Sequence, residues 1–327
     1  MKQWIAVMVL LVSGSIQWVQ AENYAEREAV QKFVAEVSAK HQLDADWVMQ
    51  IVSQGERKQA ILDAVARPAE RVLTWGEYRR IFIEPTRLEQ GLVFWRENRE
   101  LVERIAREYR VEPEILLAII GVETRYGRVT GSYRVIDALM TLSFDYPPRS
   151  RFFTGQLEQF LLMVHEQDID AALLKGSYAG AMGYGQFIAG SYRAYAVDGD
   201  GDGRIDIWNN KADALASVAN YFIEHRWQWG DLVAVELSDP VADKSLISQS
   251  LQPDKTVADL RAAGVNVPQQ LADDARVTLM ALETEFGEEY WLGFDNFYSI
   301  SRYNHSHMYS LAVYQLSQLL RAYLDMP

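Results

Sequence analysis

One segment near the middle of the chain limits the possible fold more than any other. Glu112-Pro113-Glu114 is typical of a helix start, because a proline at the first helical position loses no hydrogen bond. The residues that follow place apolar side chains on nearly every side of this helix: Ile115, Leu116, Ile119, Ile120 and Val122. A helix without a polar face must be buried. The chain is therefore predicted to build a core around this segment.

The composition is that of a folded protein. Of the 327 residues, 49% are apolar and 24% charged, close to the average of globular proteins. This length allows two modest domains or one large elaborated one. The formal net charge of −13 disfavours nucleic acid as a partner, because phosphate binding needs cations. Since the sequence has no cysteine, it excludes disulfides, iron–sulfur clusters, cysteine nucleophiles and a lipoprotein anchor.

The first 21 residues are predicted to be a cleaved signal peptide. A positive start at Met1-Lys2 precedes an apolar run over residues 4–12, and Val19-Gln20-Ala21 matches a cleavage site flanked by small residues. The alternative is a retained membrane anchor, but the apolar run is shorter than the ~18 residues that span a bilayer. We therefore expect an exported mature chain without a transmembrane segment.

The mature chain is predicted to be mainly α (α+β). Apolar residues at helical spacing predict helices within 23–66, 87–107 and 308–324. The segment 68–85 lacks clear periodicity and is expected to be a connector. Branched and aromatic residues predict extended segments at 232–237, 277–282 and 290–294. The pattern favours a mostly helical fold with a small β-containing insertion.

Glu123 ends the apolar helix and is the candidate catalytic residue. A carboxyl group surrounded by apolar side chains has a raised pKa, because burial disfavours its charged form. A raised pKa is what a general acid for glycoside cleavage requires. The alternative is a structural glutamate paired with a cation such as Arg125, and this segment alone favours that alternative.

A glycine-rich segment, Gly176–Phe187, changes this balance. It holds four glycines and little charge, so its backbone can approach a ligand closely. Ser177 and Gln186 are neutral hydrogen-bonding groups within it. The alternative is a packing element in which small residues let two helices approach each other.

An aspartate-rich loop predicts a structural calcium site. Asp198, Asp200 and Asp202 occupy positions 1, 3 and 5 of an EF-hand pattern, with Gly203 at position 6. These carboxylates repel one another unless a cation lies between them. The backbone carbonyl of Arg204, at position 7, is a further expected ligand. The alternative is a solvated turn of aspartate and glycine.

Several motifs together resemble the lytic murein transglycosylase B family of bacterial cell-wall enzymes: Glu123-Thr-Arg-Tyr-Gly, Gly176–Phe187 and Tyr303-Asn304-His305-Ser306. The resemblance implies that Glu123 is the catalytic acid/base. It implies that further side chains line the sugar cleft: Ser177, Gln186, Tyr221, Tyr303, Asn304 and Tyr309. It also implies that Arg149 meets peptide carboxylates and that Asp213 closes the calcium loop over 198–213.

The resemblance also implies a domain organisation with a lysozyme-like helical catalytic core and an additional helical domain. The expected order is a signal peptide at 1–21, an N-terminal helical region at 22–90, a catalytic core at 91–230, a small α/β insertion at 231–290 and the remainder of the core at 291–327. The compartment implied is the periplasm.

The implied activity is cleavage of the β-1,4 bond between N-acetylmuramic acid and N-acetylglucosamine, which leaves 1,6-anhydromuramic ends. The implied partners are peptidoglycan glycan strands and proteins of cell-wall synthesis or hydrolysis; the implied cofactor is one calcium ion, with no organic cofactor. Two alternatives stay open. A muramidase would need a second carboxylate, for which Asp137 and Asp145 are candidates. A calcium-stabilised peptidoglycan-binding protein would need no acid/base.

Overall fold

A computed structural model describes residues 24–66 and 73–324 of the chain. Here the chain is mainly helical, and the helices have these bounds: α1 Glu28–His41, α2 Ala45–Val52, α3 Gln59–Val65, α4 Trp75–Phe82, α5 Pro85–Tyr109, α6 Pro113–Thr124, α7 Val135–Asp145, α8 Ser150–Gln167, α9 Ala189–Tyr195, α10 Lys211–Glu224, α11 Val257–Ala262, α12 Asp295–Tyr303 and α13 His307–Leu324. None of these helices is long and apolar enough to cross a membrane. The predicted signal peptide, 1–21, lies outside the described residues.

Helix α6 confirms the prediction of a buried central segment. It begins at Pro113 and packs against α5, α10 and α13. The side chains of Leu116, Leu117, Ile119 and Ile120 are 0% exposed. Full burial of one such side chain stabilises a fold by about 1.5–3 kcal/mol. Helix α6 therefore anchors the apolar core that it shares with these neighbours.

Helix α4 replaces part of the connector expected at 68–85, so that prediction is wrong for residues 75–82. The helix begins with a capping box, in which the Thr74 hydroxyl accepts the N–H of Glu77 and the Glu77 carboxylate accepts the N–H of Thr74. Trp75 and Tyr78 are buried in the core. So short a helix has too few apolar positions to establish a period. Its stability comes from capping and packing.

Helices α1 to α3 share a second apolar core with α7 and α8. Helices α4 and α5 belong to the first core, beside α6 and α13. The helices expected within 23–66, 87–107 and 308–324 are confirmed. The division of the chain near residues 90 and 230 remains a prediction.

The strands have these bounds: β1 Tyr133–Arg134, β2 Lys175–Gly176, β3 Ala234–Leu237, β4 Lys255–Thr256, β5 Arg276–Thr284 and β6 Gly287–Gly293. Strands β3, β6, β5 and β4 form an antiparallel sheet in that order. One face of the sheet covers a third apolar core with α11. This confirms the extended segments predicted between 232 and 294. Strands β1 and β2 pair separately and lead into the glycine-rich segment.

Candidate active site

Glu123 lies in the last turn of α6, and its side chain is half-buried. The chain then reverses through Arg125, Tyr126 and Gly127, whose φ values of 51°, 61° and 82° are all left-handed. Residues other than glycine seldom adopt this conformation. A turn of this kind persists only where surrounding contacts hold it.

Thr124 supplies two of those contacts. Its side chain is buried, and its hydroxyl accepts the backbone N–H of Gly127 at 3.0 Å. The same hydroxyl donates to the carbonyl oxygen of Tyr184 at 2.9 Å. The end of α6 is thereby fastened to the glycine-rich segment.

Tyr309, in the first turn of α13, holds the Glu123 carboxylate. Its phenol donates a hydrogen bond of 2.5 Å to Glu123 Oε1, and Tyr309 is 3% exposed. Burial and the charge of Glu123 raise the pKa of Tyr309 well above its usual value. The phenol therefore stays protonated and remains a hydrogen-bond donor.

Arg125 forms an ion pair with Glu84, which lies just before α5. The structural alternative for Glu123 invoked a cation as its partner, either Arg125 or another. The guanidinium of Arg125 is instead bonded to Glu84, and the phenol of Tyr309 bonds the Glu123 carboxylate. This arrangement weakens the reading of Glu123 as half of a structural ion pair with Arg125.

Arg87 is a further cation at this helix end that sequence reasoning did not find. It is buried, and its guanidinium donates to the carbonyl oxygens of Gly121 at 2.7 Å and Val122 at 3.3 Å. It also donates to the carbonyl of Ile81 at 3.1 Å. The last carbonyls of a helix lack partners within it and carry negative partial charge, so Arg87 stabilises the turn that presents Glu123.

The glycine-rich segment forms tight turns, and the alternative of a helix-packing element is wrong. Backbone bonds join Ser177 to Ala181 at 2.8 Å and Met182 to Phe187 at 2.8 Å. A Cβ on Gly176 would lie 2.2 Å from the carbonyl oxygen of Ala181. Glycine is therefore required at position 176, where the backbone passes close to Ala181.

Ser177 and Gln186 each keep one polar atom for another partner. The Ser177 hydroxyl oxygen accepts two backbone N–H groups, at 3.1 and 3.3 Å, which leaves its hydrogen as a donor. The Gln186 amide nitrogen donates to the carbonyls of Thr130 and Gly183 at 3.2 and 3.0 Å. Its side-chain oxygen remains an acceptor.

Tyr303 and Tyr221 form an aromatic wall behind this segment. The Tyr303 phenol donates to the carbonyl of Gly185 at 2.6 Å, and its ring centroid lies 4.7 Å from that of Tyr221. Tyr221 is only 6% exposed and stacks on His225 at 4.0 Å. Its place in the structure is therefore under Tyr303, with little surface left for a sugar.

A cleft of about 790 Å³ opens beside the start of α13. Residues from distant parts of the sequence line this cleft, among them Arg149, Tyr178, Asn304 and His305. The Arg149 guanidinium lies over the Phe152 ring at 4.3 Å. Glu123 is not among the lining residues of this cleft. Its hydrogen-bond partner Tyr309 directly follows the lining residue Met308.

The two carboxylates considered for a muramidase both have cationic partners. Asp137 is 3% exposed and is held by the Arg134 guanidinium. Asp145 accepts from Arg27 at 2.9 Å and from the Tyr24 phenol. Arg134 lies in β1, whereas Arg27 and Tyr24 precede α1. Like Glu123, neither aspartate lines the cleft.

The aspartate-rich loop brings three of the predicted ligands together. Asp198, Asp200 and Asp202 each place a carboxylate oxygen within 4.8 Å of the others. The backbone N–H groups of Gly203 and Gly201 hold the pKa of Asp198 below its usual value. The loop therefore keeps negative charge concentrated, which suits a hard cation with oxygen ligands.

Asp213 and Arg204, the other predicted calcium ligands, lie around this group. Asp213 is 0% exposed, and its two carboxylate oxygens accept the N–H groups of Gly199 at 2.8 Å and Asp206 at 2.7 Å. Burial raises the pKa of Asp213. The Arg204 N–H donates to Asp202 at 2.8 Å. In this arrangement Asp213 ties Gly199 and Asp206 of the loop to α10.

Comparisons with known proteins decide the family. The family model described as transglycosylase SLT domain matches residues 25–318. Membrane-bound lytic murein transglycosylase B from Escherichia coli K12 is 41% identical over 305 residues, covering 90% of this chain and 83% of that protein. The chain belongs to the transglycosylase SLT family. It is therefore an enzyme of the lytic murein transglycosylase class, which acts on peptidoglycan.

Two solved structures of this family resemble the fold closely. Soluble lytic transglycosylase SltB1 from Pseudomonas aeruginosa is 46% identical with a TM-score of 0.86, covering 91% of this chain and 100% of that one. Escherichia coli lytic transglycosylase Slt35 in complex with calcium is 40% identical with a TM-score of 0.84, covering 93% and 96%. The mainly α, lysozyme-like fold with small sheets is confirmed.

Proposed function

We propose that this family member cleaves the β-1,4 bond between N-acetylmuramic acid and N-acetylglucosamine with Glu123 as its sole acid/base. The observation that carries the proposal is the bond from the buried Tyr309 phenol to the Glu123 carboxylate. It orients one carboxyl group at the end of a rigid, buried helix. Precise orientation of this kind is what proton transfer to a bound substrate requires.

In the first step, protonated Glu123 gives its proton to the glycosidic oxygen, and the bond from that oxygen to C1 of the muramic sugar breaks. Positive charge develops on C1. The 2-acetamido oxygen of the same sugar stabilises this charge, so no second carboxylate is needed. Ser177 or Asn304 would orient the acetamido group.

In the second step, the C6 hydroxyl of the muramic sugar attacks C1, and its proton passes to the Glu123 carboxylate. The product is a 1,6-anhydromuramic end, and no water is consumed. Glu123 regains the proton that it gave away. Tyr303 would shape the subsite around the muramic ring, the buried Tyr309 would hold the Glu123 carboxyl group, and Arg149 would bind a peptide carboxylate at the cleft.

The muramidase alternative loses support from the positions of Asp137 and Asp145. A hydrolase of this type uses a second carboxylate near the bond that breaks. Asp137 is bonded to Arg134, and Asp145 to Arg27. The pure binding alternative is opposed by family membership, and the Glu123 variant below tests it directly.

The deciding experiment is mass spectrometry of the fragments released from purified peptidoglycan. We expect wild-type protein to release fragments lighter by one water than reducing muropeptides. Glu123→Gln should bind glycan but release nothing. Glu114→Gln is the matched control, because Glu114 is a glutamate at the other end of α6, where its side chain is buried; it should release the same fragments as wild type.

Each other outcome of this experiment contradicts a stated part of the proposal. Reducing ends from wild-type protein would establish hydrolysis. Full activity of Glu123→Gln would remove Glu123 as the acid/base. No fragments from folded wild-type protein, with retained glycan binding, would favour a binding protein.

We further propose that Asp198, Asp200 and Asp202 hold one structural calcium ion. Their oxygens are close enough to share a cation, and they are carboxylates, the ligands that calcium prefers. The calcium complex of Slt35 supports the proposal by family likeness. The Arg204 carbonyl would complete the shell, and Asp213 would either contribute an oxygen or brace the loop.

The proposed location is the periplasm, after cleavage at residue 21. The support is the pattern of the first 21 residues and the membership of a family whose relative acts on murein. Peptidoglycan strands are the proposed partner. Determining the N-terminal residue of protein recovered from the periplasm tests this directly: Glu22 is expected, and Met1 would contradict it.

A further inference from the structure

Thr124 follows the proposed acid/base directly in sequence, and its side chain is 1% exposed. Its hydroxyl has two partners besides the ordinary helical contact to the Ile120 carbonyl at 3.2 Å. It accepts the N–H of Gly127 and donates to the carbonyl oxygen of Tyr184. A hydroxyl has one hydrogen, and the shorter bond, 2.9 Å, goes to Tyr184.

The bond to Tyr184 joins the end of α6 to the glycine-rich segment. Tyr184 lies within the glycine-rich segment, two residues before Gln186, whose φ of 51° is also left-handed. The backbone N–H of Tyr184 donates in turn to the carbonyl of Ile207 at 3.0 Å. Thr124 therefore connects the helix that carries Glu123 to the turn that carries Gln186, and through Ile207 to the aspartate-rich loop.

The bond to Gly127 holds the left-handed turn that follows α6. Arg125 and Tyr126 both have positive φ, and the Thr124 oxygen satisfies the N–H that closes this turn. Without that oxygen the N–H would lose its partner in a partly buried site, which is unfavourable. The turn would then shift, and Glu123 lies immediately before it.

We propose that Thr124 is a positioning residue, which sets the distance and orientation between Glu123 and the Gln186 turn. This inference rests on the proposed function of Glu123. The hydroxyl does not touch the reacting atoms. It acts by fixing the position of the end of α6 relative to the glycine-rich segment. The Glu123 carboxyl group then meets the glycosidic oxygen of a sugar bound against that segment.

The test compares Thr124→Val with Thr124→Ser. Valine keeps the shape and removes the hydroxyl, whereas serine keeps the hydroxyl. We expect kcat of Thr124→Val on solubilised glycan strands to fall by about 10- to 100-fold, the loss typical of a misplacement near 1 Å. KM should change by less than about threefold, because the ground-state sugar contacts remain. Thr124→Ser should recover most of the lost kcat.

Thr141→Val is the matched control. Thr141 is 0% exposed, and its hydroxyl accepts the N–H of Lys58 at 3.0 Å and donates to the carbonyl of Glu56 at 3.4 Å. Thr141→Val therefore loses one accepted and one donated hydrogen bond, as Thr124→Val does. These bonds lie in the core that α7 shares with the N-terminal helices. We expect both valine variants to lower Tm by similar amounts, and only Thr124→Val to lower kcat.

A Thr124→Val protein with lowered Tm and wild-type kcat would overturn the inference and leave the proposed function intact. A fall in kcat that serine does not restore would overturn it as well, because the hydroxyl would then not be the cause. The proposed function is tested separately by Glu123→Gln. If that variant kept full activity, the chemistry assigned to Glu123 would fail whatever the result for Thr124.

Discussion

Tyr309 and Glu123 form the contact on which the proposed chemistry depends, and they lie 186 positions apart in the sequence. Glu123 is marked in the sequence by its place at the end of an apolar helix. No spacing or periodicity marks Tyr309, which entered only through the family resemblance. The structure adds a reason for its presence: a buried, protonated phenol that orients a carboxylate.

Replacing Tyr309 with phenylalanine should reduce kcat with a smaller change in KM. A hydrogen bond to a charged group contributes about 1.5–3 kcal/mol, which corresponds to a roughly 10- to 100-fold fall in rate. The measurement is the initial rate of anhydro-fragment release at saturating glycan. Tyr314→Phe, in the same helix and half-buried, is the control and should keep wild-type activity. A Tyr309→Phe protein with unchanged kcat would contradict the orienting role.

The sequence predicts the burial of helix α6 but not the contacts that complete its C-terminal end. Its burial follows from its composition, because five apolar residues over two turns leave no face for water. Its C-terminal end has no such rule. The Arg87 guanidinium, from α5, completes it by binding the carbonyls of Gly121 and Val122, and sequence alone does not pair these residues.

Arg87→Met should lower the free energy of unfolding by about 2–3 kcal/mol, since it leaves helix-end carbonyls without a charged donor. Arg87→Lys should recover only part, because an ammonium group cannot bridge the carbonyls that the planar guanidinium spans. Urea denaturation followed by circular dichroism measures the difference. Arg96→Met, on the exposed side of α5, should change stability by less than about 0.5 kcal/mol. Equal losses for Arg87→Met and Arg96→Met would contradict this account.

At the scale of the whole molecule, the aspartate-rich loop joins two parts of the fold. Asp213, in α10, bonds the N–H groups of Gly199 and Asp206, and Ile207 bonds the glycine-rich segment through Tyr184. Three close carboxylates in a chain of net charge −13 destabilise this junction unless a cation screens them.

Chelation of calcium should therefore lower Tm, and added calcium should restore it. Binding to the folded state alone stabilises by about 2.7 kcal/mol at a concentration 100-fold above Kd. Differential scanning calorimetry with and without EGTA measures the change. Asp202→Asn should abolish the calcium response yet be no less stable than wild type in EGTA, because it removes one repelling charge. Asp274→Asn, on an exposed residue, should keep the response. An unchanged Tm at saturating calcium would remove the proposed site.

Much of the site was open to prediction because its signals are local. The end of an apolar helix made Glu123 a candidate, alternate aspartates made Asp198, Asp200 and Asp202 candidate ligands, and four glycines drew attention to the segment around Gln186. Helix α4 was not predicted, because its signals are a capping box and two buried aromatic residues rather than a helical period of apolar residues. The exposure of Tyr221 could not be judged, since burial depends on what packs above a residue.

Local signals in the sequence predicted the buried helix α6, helices within 23–66, 87–107 and 308–324, and extended segments between 232 and 294. These follow from periodicity, composition and short-range spacing, which act over a few residues. The partners are visible only in the packed chain: Tyr309 for Glu123, Tyr184 for Thr124, Arg87 for the end of α6, Arg134 for Asp137 and Arg27 for Asp145. Those pairings depend on how distant helices pack, and packing is set by the shape of the whole core rather than by any one segment.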